Sequence, residues 1–152
     1  SPMGKMNDIH DDDPEATFGH VAERLSEYEL AYLHMVNPAV EQMQNGKDPD
    51  PRALGMAKLV RKQFKGNLIV AGGFDAESGA RWLREGWGDL IAFGRKFLAN
   101  PDLPERLRIG APLNADDPSS YYGGGEKGYT DYPSLAQDRG DQPKSCVDQS
   151  WR

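Results

Sequence analysis

Two glycine-ended apolar runs hold the residues whose types and spacing could do chemistry. Ala71-Gly72-Gly73-Phe74 and Ala92-Phe93-Gly94-Arg95 each close a short apolar stretch, and a helix-like segment follows each of them. Glycine at the end of a strand lets backbone N–H groups come close to an anion at a helix N-terminus. Arg95 adds a permanent charge with a forked set of donors. Together these residue types point to phosphate binding. The plainer reading is that the glycines only make tight strand-to-helix turns. Arg95 and the matched positions of the two sites weigh against it.

The elements that must position these residues follow from a repeat. Gly66-Asn67-Leu68-Ile69-Val70-Ala71-Gly72 aligns with Gly88-Asp89-Leu90-Ile91-Ala92-Phe93-Gly94, and Gly110 ends the second unit, so Gly66, Gly88 and Gly110 recur at intervals of 22 residues. One strand plus one helix fills such an interval, which is the unit of a parallel α/β sheet or barrel. Upstream, Phe18, Val21, Ala22 and Leu25 form a helical stripe that begins after Asp13 as cap and Pro14 in the first turn. Leu30–Val36 is a near-continuous apolar run, as expected of a strand covered on both faces. Residues 42–51 read as loop. A helix then opens at Asp50-Pro51, carries Leu54, Ala57, Lys58 and Phe64, and stops at Gly66. Asp75 caps the helix 76–85 and Gly86 ends it, Lys96–Asn100 makes a short extra turn, and Pro101–Ile109 makes the last helix. The order is helix, strand, helix, strand, helix, strand, helix.

Composition limits the function classes. The chain has 152 residues, 38% apolar and 28% charged, with a net charge of −6. That charge argues against a general nucleic-acid or membrane-surface binder. No apolar run approaches the length of a membrane span, and the N-terminal residues contain no apolar signal region. Cys146 is the single cysteine, so an intrachain disulfide is excluded and a reducing, cytoplasmic setting is expected.

Other candidate groups have simpler explanations. His10 beside Asp11-Asp12-Asp13 lacks metal-ligand spacing, and helix capping accounts for Asp13, so no metal is expected. His34 lies inside an apolar run, where a hydrogen-bonded core histidine is the ordinary role. Arg61, Lys62 and Lys65 crowd a helix C-terminus, which the helix dipole explains without nucleic acid. Gly123, Gly125 and Gly128 match G-x-G-x-x-G, but no strand precedes them and no helix follows. Tyr121 and Tyr122 before three glycines suggest a flap that packs over something. From Ser134 the chain is polar and irregular, includes an incidental Arg139-Gly140-Asp141, and is expected to be disordered.

Several longer motifs carry a family resemblance. Asn7-Asp8-Ile9, Asp13-Pro14-Glu15-Ala16-Thr17-Phe18, Tyr32-Leu33-His34, Ala92-Phe93-Gly94-Arg95, Ala99-Asn100-Pro101-Asp102-Leu103-Pro104-Glu105-Arg106-Leu107 and Gly128-Tyr129-Thr130-Asp131-Tyr132-Pro133 resemble the C-terminal half of the Old Yellow Enzyme family of FMN-dependent ene-reductases. The resemblance runs from Ser1 to about Pro133. It implies an α/β fold, the C-terminal half of a (β/α)8 barrel with strands six to eight and their helices, over residues 1–133, with a polar tail over 134–152. Gly72, Gly73 and Phe74 would follow strand seven and Gly94 and Arg95 strand eight, where barrels of this kind commonly hold a phosphate, here that of FMN. Tyr121 would pack near the flavin and Tyr122 would line the substrate side of the pocket, with Lys96 a weaker candidate for the anionic end.

The implied reaction takes hydride from NAD(P)H to the flavin and then to an activated alkene such as an enone, a maleimide or a nitro compound. Paired donors polarise the carbonyl or nitro group and a tyrosine supplies the proton. In the family those donors, that tyrosine and the grip on the flavin ring belong to the N-terminal half, so no catalytic residue is expected in this chain. The implied partner is the N-terminal half of the same enzyme, as a separate chain or excised piece. The alternative is a non-catalytic half-barrel that only associates with a partner or binds phosphate or flavin weakly.

Overall fold

The computed structural model describes residues 11–40, 51–122 and 125–138. The chain divides into two compact units, one running to Phe93 and the other starting at Gly94.

In the first unit α1 (Pro14–Leu25) leads into β1 (Leu33–Val36), and α2 (Pro51–Gln63), β2 (Leu68–Ala71), α3 (Ala76–Arg84) and β3 (Leu90–Ala92) follow. The three strands form one parallel sheet in the order β1-β2-β3. The register pairs Val36 with Ala71 and Ala71 with Ala92, so all three strands end level. A parallel ladder requires a crossover between successive strands, and α2 and α3 supply the helices of those crossovers.

Local chemistry fixes the helix ends. The Asp13 carboxylate accepts the Ala16 N–H at 3.0 Å and Pro14 occupies the first turn, as the capping reading of this acidic run requires. Asp75 and Ser78 form a reciprocal capping box at the start of α3, and Gly86, at φ +69°, follows its last turn. At the end of α2 the Arg61 guanidinium donates to the carbonyls of Phe64 and Gly66 and pairs with Asp89 at 2.7 Å. The same Asp89 carboxylate accepts the Leu68 N–H at 2.8 Å, and its own N–H donates to the Leu68 carbonyl. One arginine therefore ties the helix end to the N-terminal ends of β2 and β3.

Helices α1 to α3 pack on one face of the sheet. The buried core comprises Ala22, Met35, Met56, Ala57, Val60, Phe64, Leu68, Val70, Phe74 and Trp82. Phe74 and Trp82 of this core and the partly buried Trp87 beside it stack edge to face, with centroids 5.1 and 5.4 Å apart, and the Lys58 ammonium lies 4.7 Å from the Trp87 ring.

Several expectations change. The first strand covers Leu33–Val36 only. The Leu30 N–H turns back to the Tyr28 carbonyl, and Asn67 binds the Ala31 carbonyl through its side chain, so pairing starts at Leu33. Burial on both faces is not seen among the described residues: Met35 is buried, whereas His34 and Val36 are exposed. His34 is thus not a core histidine; it lines an apolar groove with Phe18, Val21, Leu33 and Met35. The last helix begins at Leu103 rather than Pro101.

In the second unit α4 (Arg95–Ala99), α5 (Leu103–Ile109), a 3-10 turn (Pro118–Ser120) and α6 (Leu135–Asp138) are joined by irregular chain. Residues 135–138, expected to be disordered, form a helical turn whose first N–H donates to Asp102. The rest of that tail, with Cys146 and Arg139-Gly140-Asp141, lies outside the described residues, as do His10 and Gly123. Among the described residues no helix is long and apolar enough to cross a membrane, and no group of three His, Cys, Asp or Glu side chains could hold a metal.

Trp82→Ala removes the centre of the aromatic stack and should cost about 3–5 kcal/mol of unfolding free energy, read from urea denaturation. A loss below about 1 kcal/mol would show that the stack does not hold the crossover helices to the sheet.

Candidate functional site

The turn after β2 starts where the ladder ends. Gly72 and Gly73 have φ +107° and +77°, two successive left-handed residues that only glycine adopts without strain. A Cβ on Gly72 would also come within 2.7 Å of Val40 Cγ2, because the loop after β1 packs directly against this turn. Among the described residues the Gly73 N–H has no hydrogen-bond partner. The Phe74 side chain turns inward, only 3% exposed, with its ring against Trp82. Its ring belongs to the core and anchors the far end of the turn.

Gly94 and Arg95 open the second unit. Gly94 caps α4 with no side-chain hydrogen bond, and a Cβ added there would meet open space. Arg95 is exposed at the first helical position and makes no ion pair among the described residues. Lys96 is half-buried and its carbonyl accepts the Asn100 side-chain N–H at 2.8 Å.

The tyrosine pair follows the 3-10 turn. Asp117 caps that turn by accepting from the Ser119 N–H and hydroxyl at 2.9 and 2.7 Å. Those two donors hold its carboxyl below the ordinary range against the opposing effect of burial, with Lys127 adding charge. The Tyr129 hydroxyl donates to the Tyr121 carbonyl, and the Asp117 N–H donates to the Tyr132 hydroxyl at 3.0 Å. Tyr121 is half-buried, and its hydroxyl is the one buried side-chain polar atom among the described residues without a partner. Tyr122 stands edge-on to Tyr121, centroids 6.4 Å apart, and is 92% exposed.

A buried cation that sequence reasoning missed holds this segment. Arg106, 2% exposed, donates Nε to Asp102 at 2.7 Å, Nη1 to the Pro112 carbonyl at 2.7 Å and Nη2 to the Pro133 carbonyl at 2.9 Å. The second Asp102 oxygen accepts the Leu135 N–H at 2.7 Å. Asn114 adds donors to the carbonyls of Ala99 and Pro133, both at 2.8 Å. The stretch 112–133, with both tyrosines, is thereby pinned at its two ends to α5. The i, i+4 spacing of Asp102 and Arg106 was the available signal, but it reads as an ordinary surface pair.

Burial pushes the Asp102 carboxyl up, but the Leu135 N–H and the Arg106 guanidinium outweigh it and hold the group below its usual range. A depressed folded pKa gives stability that is complete above the unfolded value of about 3.9 and is lost as pH falls through the folded value. Asp102→Asn should therefore be less stable than the native protein at pH 7, and the gap should close below about pH 4. Urea denaturation across that pH range tests this; a gap independent of pH would remove Asp102 ionisation from the account.

Residues 1–114 match the model of the NADH:flavin oxidoreductase / NADH oxidase family. The chain is 40% identical over 139 residues to 12-oxophytodienoate reductase 1 of Oryza sativa subsp. japonica, covering 90% of this chain and 36% of that protein. Morphinone reductase superimposes with a TM-score of 0.78 at 44% identity over 90% of this chain and 35% of that one. A further structure of morphinone reductase contains tetrahydroNAD. The old yellow enzyme of Trypanosoma cruzi superimposes with a TM-score of 0.74 at 35% identity, over 88% of this chain and 33% of that one. The chain thus spans about a third of the length of these relatives.

Proposed function

The chain belongs to the NADH:flavin oxidoreductase / NADH oxidase family, and we propose that it supplies the FMN-phosphate contacts and one side of the substrate pocket of an FMN-dependent ene-reductase. In this reading its strands are the sixth to eighth of a (β/α)8 barrel. The observation that carries it is the pair of consecutive left-handed glycines at the C-terminal end of the central strand of a parallel sheet. Binding sites on such sheets lie at the strands' C-terminal ends, where backbone N–H groups and helix N-termini face a bound anion.

The residues present fit a phosphate-bearing cofactor. Gly72 and Gly73 give a turn in which a backbone N–H is left without a partner among the described residues. Phe74 anchors that turn to the core. Gly94 leaves the start of α4 sterically open, and Arg95 brings an exposed guanidinium to it. Tyr121 offers a buried hydroxyl in need of a partner, and Tyr122 an exposed ring for a substrate to pack on.

A bound FMN would supply the hydride-transfer chemistry, with NAD(P)H as reductant and an electron-poor C=C bond as acceptor. The work of this chain's residues is to hold the phosphate, fix the register of the cofactor and shape the tyrosine edge of the pocket. The paired donors that polarise an enone, a maleimide or a nitro compound, and the tyrosine that returns a proton, are assigned to the N-terminal half of the same enzyme as partner. No catalytic residue is assigned to this chain.

The direct test is the flavin absorbance of the purified full-length protein, followed by NADH and NADPH oxidation with an enone. A yellow protein that oxidises either cofactor only when enone is present is expected; a colourless, inactive, folded protein would overturn the reading. Arg95→Ala should weaken FMN roughly tenfold or more, the scale of a lost charged hydrogen bond, and leave riboflavin binding unchanged. Titration of flavin fluorescence measures both.

A further inference from the structure

We propose that Asn37, in the loop after β1, is the positioning residue of the Gly72–Gly73 turn and so sets how strongly the protein distinguishes a phosphorylated flavin from an unphosphorylated one. The inference rests on the reading of that turn as a phosphate contact.

Asn37 is 1% exposed, and each of its polar atoms has a role. Its backbone N–H donates to the Ala71 carbonyl at 2.7 Å, which carries the β1–β2 ladder one residue past the strand end. Its backbone carbonyl accepts the Val40 N–H at 3.0 Å. Its side-chain Oδ1 accepts the Ala39 N–H at 2.9 Å. That contact fixes the orientation of the amide, because only the oxygen can accept, and leaves Nδ2 facing the Gly72 carbonyl at 3.3 Å.

The last contact reaches the anion donor through the covalent geometry of one peptide. Gly72 C=O and Gly73 N–H belong to the same planar trans unit and point in opposite directions. Holding the carbonyl toward Asn37 therefore turns the Gly73 N–H away from Asn37 and leaves it without a partner among the described residues. Glycine at φ +107° followed by glycine at φ +77° has no side chains to lock that plane. Val40, on the same loop, closes the space beside Gly72. Shape at this turn is thus imposed by a neighbour, and Asn37 is the hydrogen-bonding part of that neighbour.

Asparagine suits the task for a stated reason. It offers one acceptor and one donor at adjacent positions, matching the Ala39 N–H and the Gly72 carbonyl. Aspartate has the same shape but would face the Gly72 carbonyl with an acceptor. Alanine would leave both backbone groups without a side-chain partner.

The test uses the full-length protein and two probes, FMN and riboflavin, with binding read from quenching of flavin fluorescence. Asn37→Ala should raise the Kd for FMN about three- to tenfold, the scale of one buried hydrogen bond, and leave that for riboflavin unchanged. Asn37→Asp should do the same or more. Asn37→Asp is isosteric and carries the test if the alanine variant does not fold. Equal weakening of both flavins, or full retention of the preference for FMN, would overturn the proposal. If the native protein itself binds FMN no more tightly than riboflavin, the phosphate reading of the turn fails and the role of Asn37 falls with it.

Discussion

Parallel hydrogen bonding between three short strands is the constraint on which the rest of the first unit depends. Parallel strands leave the sheet at one end, and here the register makes them leave level, with Val36 opposite Ala71 and Ala71 opposite Ala92. Asn37, Gly72 and Phe93 are each the first residue beyond their strand, so the ladder alone puts the three loop origins side by side. At the opposite end Asp89 and Arg61 bind β2, β3 and the end of α2 together, which leaves the C-terminal end for loops of special shape. In barrels of parallel strands the end opposite the stabilising contacts is the one that commonly carries the binding loops.

The second unit solves a different problem. Helices α4 and α5 have five and seven residues, too short to persist through backbone hydrogen bonds alone. A buried guanidinium takes the place of a large apolar core. Desolvating Arg106 is costly, and the cost is offset only because Asp102 and two carbonyls satisfy it in fixed directions. Such a network contributes specificity of shape more than net stability. It holds the chain at Pro112 and at Pro133, on either side of Tyr121 and Tyr122 in sequence.

What was legible in the sequence was whatever local chemistry encodes. Asp13 and Asp75 read as caps because a short carboxylate before an apolar stripe has one favourable use, and both caps are present. The repeat read as strand plus helix because glycine closed each copy at the same spacing. Leu30–Val36 was read too long: apolar character says that residues are covered and not what pairs with them, and pairing is limited by the four residues of β2. Phe74 was read with the glycines next to it, yet φ at Gly72 and Gly73 turns the chain so that its ring joins Trp82. Asn37 and Arg106 are not legible as hubs, because, Asp102 apart, their partners are main-chain groups as many as 35 residues away and a main-chain group has no sequence signature.

In the proposed function, charge and shape would contribute differently at the two loops. Arg95 is exposed, so its guanidinium would attract a phosphate group by charge without by itself fixing the direction from which the phosphate is held. The Gly72–Gly73 turn has no charge and, in the proposed function, would contribute direction: a backbone N–H held in one orientation before a ligand arrives. A donor that is already oriented loses no freedom on binding, which is where selectivity comes from. Two consecutive glycines would on their own be the least oriented residues in the chain. In that proposal the turn becomes selective through the neighbouring loop that restrains it, by the Asn37 amide on the Gly72 carbonyl and by Val40 beside Gly72.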